Sequence, residues 1–182
     1  MRIVAGAFRG LRLAAPHGEA TRPTADRVRQ ALFDRLMHAP WAGRALLDGA
    51  RVLDLFAGTG ALGLEALSRG AAQAVFIEND RAAAAVLRAN VAACRAEARC
   101  RVLVADALRP PRGEPCGLVF LDPPYGLGLA APAAAACRET GWIGAGAVLV
   151  VEIGRGETPP ALGEALASFE AGAASVHVFR TP

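Results

Sequence analysis

The chain has no lysine; all 20 of its Lys-or-Arg positions are arginine. Any polyanion it meets must therefore be gripped by guanidinium groups. No apolar run approaches the ~18–20 residues needed to cross a bilayer, and the N-terminus lacks the apolar core of an export signal. Membrane association and secretion are not expected; the cytoplasm is. Cys94, Cys100, Cys116 and Cys137 form no C-x-x-C pair and have no histidine at metal-ligand spacing. They read as reduced thiols, with Cys116 opening an apolar strand and Cys137 in an Ala-rich helix, so no metal is expected. His17, His38 and His177 have no partner suggesting catalysis, and Trp41 and Trp142 are expected to pack against the sheet. Disorder does not fit a chain that is 53% hydrophobic and 20% charged, with a mean hydropathy of +0.31. No internal repeat is visible, and 182 residues suit one domain with a full core.

What charge there is sits unevenly. Residues 1–50 carry 8 arginines against 4 acids, whereas the remaining 132 residues carry 12 against 13. A basic N-terminal segment beside a near-neutral body suggests a polyanionic partner met by that segment, with a solvated arginine face as the plainer alternative. Residues 2–13 read as a short hairpin, with Arg2, Arg9 and Arg12 among apolar positions. Loop follows from Pro16 to Pro23. Thr24 can cap a helix over roughly 25–37, whose Val28, Leu32 and Leu36 recur on one face. Arg22, Arg27, Arg29 and Arg35 surround its start and exposed flanks, as a phosphate grip at a helix N-terminus or as the soluble face of an ordinary amphipathic helix. Residues 39–50 read as a connector.

From Arg51 strand and helix alternate. Strands are expected near 51–56, 73–78, 100–105, 116–121 and 146–153, and helices near 60–69, 80–97, 129–139 and 160–168. The strands are continuous apolar runs, as in a parallel sheet covered on both faces. Phe169 and the alternating Ser175–Arg180 suit an antiparallel edge hairpin. The expected fold is a Rossmann-like, doubly wound, mostly parallel α/β sheet with its ligand site at the carboxyl ends of the strands.

Gly58-Thr59-Gly60-Ala61-Leu62-Gly63 matches G-x-G-x-x-G, a turn that lets a ligand approach the backbone. Glu78 ends the next strand, where a carboxylate can accept from both ribose hydroxyls. These features alone leave an NAD-dependent oxidoreductase open. Asp54 argues against it, because a carboxylate just before the turn repels a pyrophosphate. S-adenosylmethionine instead offers two cationic groups, an ammonium and a sulfonium. Asp106, at the third strand end, can accept from the adenine amino group, with the Ala107 N–H nearby. A single acid at such a place is often only a helix cap, but three successive ones suit a cationic nucleoside.

Asp122-Pro123-Pro124-Tyr125 closes the fourth strand. The prolines fix the backbone and remove N–H donors, leaving the Pro123 carbonyl free to accept. With Asp122 as a second acceptor, both protons of an exocyclic nucleobase amine can be held while its lone pair turns toward the sulfonium methyl. Tyr125 can stack on the base, which must leave its own stack to enter. A rigid surface turn is the plainer alternative for this tetrapeptide.

The chain resembles the RsmD-type family of bacterial 16S rRNA guanine-N2 methyltransferases over nearly its whole length. The resemblance rests on Arg2-Ile3, Gly6, Phe8-Arg9-Gly10, Arg22-Pro23-Thr24-Ala25-Asp26-Arg27-Val28-Arg29 and Leu32-Phe33. It continues through Asp54–Gly70, Ile77-Glu78-Asn79-Asp80 and Asp122-Pro123-Pro124-Tyr125. The Arg22–Arg29 block is the most specific part, since the glycine turn and D-P-P-Y recur across amino-methyltransferases. The resemblance implies a class I S-adenosylmethionine-dependent enzyme methylating a guanine N2 amine of small-subunit rRNA. Asp54, Phe56, Ala57, Gly58, Thr59, Gly60, Glu78, Asn79, Asp106 and Ala107 would serve the cofactor, and Asp122–Tyr125 the amine. Arg9, Arg22, Thr24, Arg27 and Arg29 would face the RNA. Residues 1–182 would form one methyltransferase domain, with an RNA-facing segment at 1–50 and a catalytic core at 51–182, acting as a monomer. Adenine-N6 methylation of RNA or DNA, and an inert RNA-binding module, are the rival readings.

Overall fold

The structure, a computed structural model, describes residues 1–15 and 23–182, with backbone alone for 23–25, 43 and 44. Arg22, His17 and the Thr24 side chain with its expected cap therefore lie outside the described residues.

Five parallel strands form the centre of the sheet: β1 (Arg51–Leu55), β2 (Gln73–Glu78), β3 (Cys100–Val104), β4 (Cys116–Leu121) and β5 (Ile143–Gly154). Two more, β6 (Glu164–Ala171) and β7 (Ala174–Arg180), extend it antiparallel. The order among the described residues is β3-β2-β1-β4-β5-β7-β6. The helices α1 (Pro23–His38), α2 (Ala61–Ser68), α3 (Arg81–Ala93) and α4 (Ala130–Glu139) cover its faces. Among the described residues no helix is long and apolar enough to cross a membrane.

The apolar strands are buried on both sides because successive side chains point to opposite faces. Val52, Phe76, Leu118, Phe120, Val148 and Val150 meet Leu32, Phe33 and Leu36 of α1, Leu64 and Leu67 of α2, and Leu87 and Val91 of α3. The alternate positions Leu53, Val75, Ile77, Val119, Leu149 and Val151 meet Ala133, Ala134 and Cys137 of α4 and Trp142. Trp142 is fully buried, and its indole N–H donates to the Pro111 carbonyl at 2.6 Å. Burial pushes the Cys116 and Cys137 thiols up to about 11 and 12, so both are inert apolar side chains.

Two expected elements are corrected. No helix forms over 160–168, where Glu164–Ala171 is strand β6. Leu162 and Leu166 sit four apart as on a helix face, but β7 presents a free ladder and wins. After a register shift between Ala165 and Ala167, residues Ala167, Phe169 and Ala171 alternate inward and pack on the core. The helix expected over 80–97 stops at Ala93, because Arg95 adopts a left-handed φ of 51° and a short 3-10 turn, Glu97–Arg99, follows. Asp80 caps its start, accepting from the Ala83 N–H at 2.7 Å.

The N-terminal hairpin shrinks to one bridge, Arg2 to Arg12, and the segment instead straps across α2 and α3. Fully buried Glu65 accepts from the Val4 and Ala5 N–H groups at 2.8 and 3.0 Å. It also pairs with Arg69 at 2.7 Å and Arg29 at 3.5 Å. The Ala7 N–H donates to the Ser68 carbonyl at 2.7 Å, and Gly6 passes so near that a Cβ there would lie 1.8 Å from that oxygen. Asn90 exchanges hydrogen bonds with the Ala14 backbone at 2.7 and 3.1 Å, and donates to the Thr59 carbonyl at 2.9 Å. The strap is thereby joined to the glycine turn.

Candidate active site

Chain parity puts four acids on one face of the sheet at its carboxyl end. Asp54 is level with Phe76 and Phe120, two residues before Glu78 and Asp122 respectively. Leu121 pairs with Val151, so Asp122 and Glu152 are the next residues of adjacent strands.

The turn after β1 is held by these acids. Buried Asp54 accepts from the Gly63 N–H at 2.9 Å, and Glu78 accepts from Gly58 at 2.7 Å and Asp80 at 2.8 Å. Phe56, Gly58 and Gly60 have φ of 59°, 53° and 78°, the left-handed backbone that swings the chain into α2. A Cβ on Gly63 would sit 2.4 Å from the Phe76 ring, so the third glycine serves helix-to-strand packing. The Gly58 N–H that a pyrophosphate would need is already taken by a carboxylate, which disfavours a dinucleotide. Burial, partly offset by the Gly63 N–H and raised further by Glu78, pushes the Asp54 carboxyl up to about 7. Such a group gains from a cation brought beside it.

Two cavities meet here. One, of about 440 Å³, is lined by Phe56, Glu78, Asn79, Ala107, Leu129 and the Asp122–Tyr125 segment. It has the size and mixed lining of a nucleoside site. The other, about 350 Å³, is lined by Asp54, Ala57–Thr59, Glu152, α1 and the β6–β7 turn. Phe56, Asp122 and Tyr125 border both, so the D-P-P-Y segment stands at their junction.

Asp122 is held well above the usual carboxylate range, first by burial and then by Glu152 and Asp54. The half-exposed Tyr125 donates its hydroxyl to Glu152 at 2.5 Å, and burial with that bond raises the phenol, keeping it a donor. Glu157 accepts from the Gly126 N–H at 2.8 Å and from Gly154 at 2.9 Å, tying the loop after Tyr125 to the end of β5.

Two expected site residues, Asp106 and Arg29, bond to partners within the fold. Asp106 is exposed and does not line the cavity; it accepts from the Leu108 N–H at 2.9 Å and orders its own turn. Ala107 does line it. Arg29, expected at RNA, is 5% exposed. It pairs with Asp26 at 2.8 Å and donates to the Arg2 carbonyl, while its side also borders the second cavity. Its guanidinium is spent inside the fold, sharing buried Glu65 with Arg69 and pairing with partly buried Asp26. Arg9 and Arg27 are exposed, as expected. Glu152 and Glu157 escaped the sequence reading, although Glu152 interrupts the apolar run Val148–Ile153, a signal that was there to be read. Among the described residues no group of three His, Cys, Asp or Glu side chains is arranged to hold a metal.

The family described as conserved hypothetical protein 95 matches residues 1–180. "Ribosomal RNA small subunit methyltransferase D" of Escherichia coli K12 is 41% identical over 154 residues, 84% of this chain and 74% of that protein. The protein of the same name from Haemophilus influenzae is 36% identical over 157 residues, 84% of this chain and 78% of that one. The solved structure of yhhF from Escherichia coli superposes with a TM-score of 0.83 at 37% identity, covering 100% of this chain and 97% of that one.

Proposed function

The chain belongs to the RsmD family of ribosomal RNA small-subunit methyltransferases, and from that premise we propose that it methylates the exocyclic N2 amine of a guanine in 16S rRNA. The observation that carries this reading is the Asp122-Pro123-Pro124-Tyr125 segment at the junction of two cavities, one nucleoside-sized and one lined by acids.

S-adenosylmethionine is the proposed methyl donor; when bound, it supplies a sulfonium methyl that a nitrogen lone pair can take. Glu78, Asn79 and Ala107 would hold its adenosine in the larger cavity, with Phe56 against the ring. Asp54 and the turn Ala57–Gly60 would receive the amino-acid end, where the ammonium answers the buried carboxylate.

The Pro123 carbonyl and Asp122 would accept the two amine protons, turning the nitrogen lone pair out of the base plane. Tyr125 would stack on the base and fix its tilt. Catalysis is then mainly positioning and electrostatic fit. As the N–C bond forms the amine becomes acidic, so its proton leaves without need of a strong base. Arg9 and Arg27, exposed on the N-terminal 50 residues, would meet RNA phosphates, with residues 51–182 carrying the chemistry. The protein would act as a monomer, without metal, on a free or assembled small subunit.

The test is a labelling reaction with methyl-labelled S-adenosylmethionine and small subunits lacking their native methylation, followed by nucleoside mass spectrometry. N2-methylguanosine at one site is expected. N6-methyladenosine would overturn the substrate while keeping the amine chemistry, and label on neither would overturn the reading.

A further inference from the structure

We infer that Glu152 selects guanine against adenine, by accepting the N1–H that guanine has and adenine lacks; this rests on the guanine reading above. Asp122 and Glu152 follow the paired residues Leu121 and Val151, so the two carboxylates stand side by side on adjacent strands. Both border the 350 Å³ cavity, together with Asp54 and Tyr125. Among the described residues Glu152 has no cationic partner, and Tyr125 donates to one of its two oxygens, Oε1. That bond fixes the carboxylate beside the ring proposed to stack on the base.

Asp122 and Glu152 thus set carboxylate oxygens side by side on the cavity wall, next to the Pro123 carbonyl proposed to hold the amine. Guanine presents three donor hydrogens along one edge, two on the N2 amine and one on N1. Adenine presents two, on N6, and an N1 lone pair in the neighbouring place. With the reacting amine on Asp122 and Pro123, the adjoining ring nitrogen faces Glu152. Guanine donates to it, whereas adenine would set a lone pair against a carboxylate and leave both unpaired. A site built to receive a hydrogen bond rejects an analogue lacking the donor far more strongly than a shape-matched apolar pocket rejects a changed methyl group. A carboxylate at this place thus does for the substrate what D-P-P-Y, common to guanine and adenine amines, does not.

The test uses small subunits reconstituted with either guanine or 2-aminopurine at the mapped target position. 2-Aminopurine keeps the 2-amine but carries a lone pair at N1. The wild-type protein should prefer guanine in kcat/KM by roughly a hundredfold or more. Glu152→Gln, which can offer an N–H to that lone pair, should narrow the preference to about tenfold or less, partly by gaining activity on 2-aminopurine. Tyr125→Phe, which removes the bond to Glu152 while keeping the carboxylate, should lower turnover but leave the preference in place. An equal loss on both bases in Glu152→Gln would mean that Glu152 only supports the loop, and would overturn the inference while guanine methylation stood. Wild-type label on adenine would instead sink the guanine reading, and this inference with it.

Discussion

At the scale of single residues, Asp54 ties stability to pH. Its carboxyl moves from 3.8 to about 7 on folding, with burial the largest cause. Between those values the folded protein keeps a proton that the unfolded chain has lost. The unfolded state therefore binds fewer protons, and this contribution to stability, full at low pH, is lost as pH rises from about 4 to about 7. Urea denaturation of the ligand-free protein should show stability falling across that window, and Asp54→Asn, which keeps an acceptor for Gly63, should flatten the fall. S-adenosylhomocysteine should bind more tightly at pH 8 than at pH 6, since its ammonium favours the ionised carboxylate. Asp122→Ala should lower turnover by roughly a hundredfold or more while sparing most RNA binding, as loss of one transition-state contact does; unchanged single-turnover rates would remove Asp122 from the mechanism. Asp54, Glu78 and the D-P-P-Y segment stand out in sequence because each sets a charge within or at the end of an apolar strand. Asp106 has the same look, and the structure leaves it exposed, accepting from the Leu108 N–H of its own turn. Arg29 misled for the opposite reason: a charge count cannot see that Glu65, thirty-six positions on, would bury itself against it.

At the scale of elements, the strap shows how a segment with little secondary structure can be firmly held. Glu65 bonds two of its N–H groups and balances two buried guanidiniums, those of Arg29 and Arg69. Glu65→Gln keeps the shape and removes the charge, so it should cost about 3–5 kcal/mol by chemical denaturation, the usual penalty for breaking one side of a buried ion pair. The five parallel strands and α1 to α4 could be read from apolar runs and helical spacing, since each buries a face against its neighbour. The strap could not, and β6 only at its Phe169 end. The strap takes its conformation from α2, whose Glu65 lies 61 and 60 positions beyond the Val4 and Ala5 it holds, whereas β6 pairs with β7 across a short turn, and of its residues only Phe169 was expected in that hairpin.

At the scale of the whole molecule, the excess positive charge of residues 1–50 survives folding only in part. Arg29 is internal, while Arg2, Arg9, Arg12 and Arg27 remain exposed. Replacing Arg9 and Arg27 together with Ala should weaken RNA binding and reduce the slope of log affinity against log salt by roughly 1 to 2, as expected for two lost phosphate contacts. A filter-binding series across salt concentrations would measure it, and an unchanged slope would move the RNA to another face. The position of β7 has a consequence for how the protein is made. It lies between β5 and β6 yet follows both in the chain. A nascent chain must therefore keep β5 with one edge bare, and β6 with no partner, until residues 174–180 have left the ribosome. Until β7 docks, the bare edge of β5 is a template to which another strand can add, so the protein is open to aggregation for as long as its last strand is unplaced.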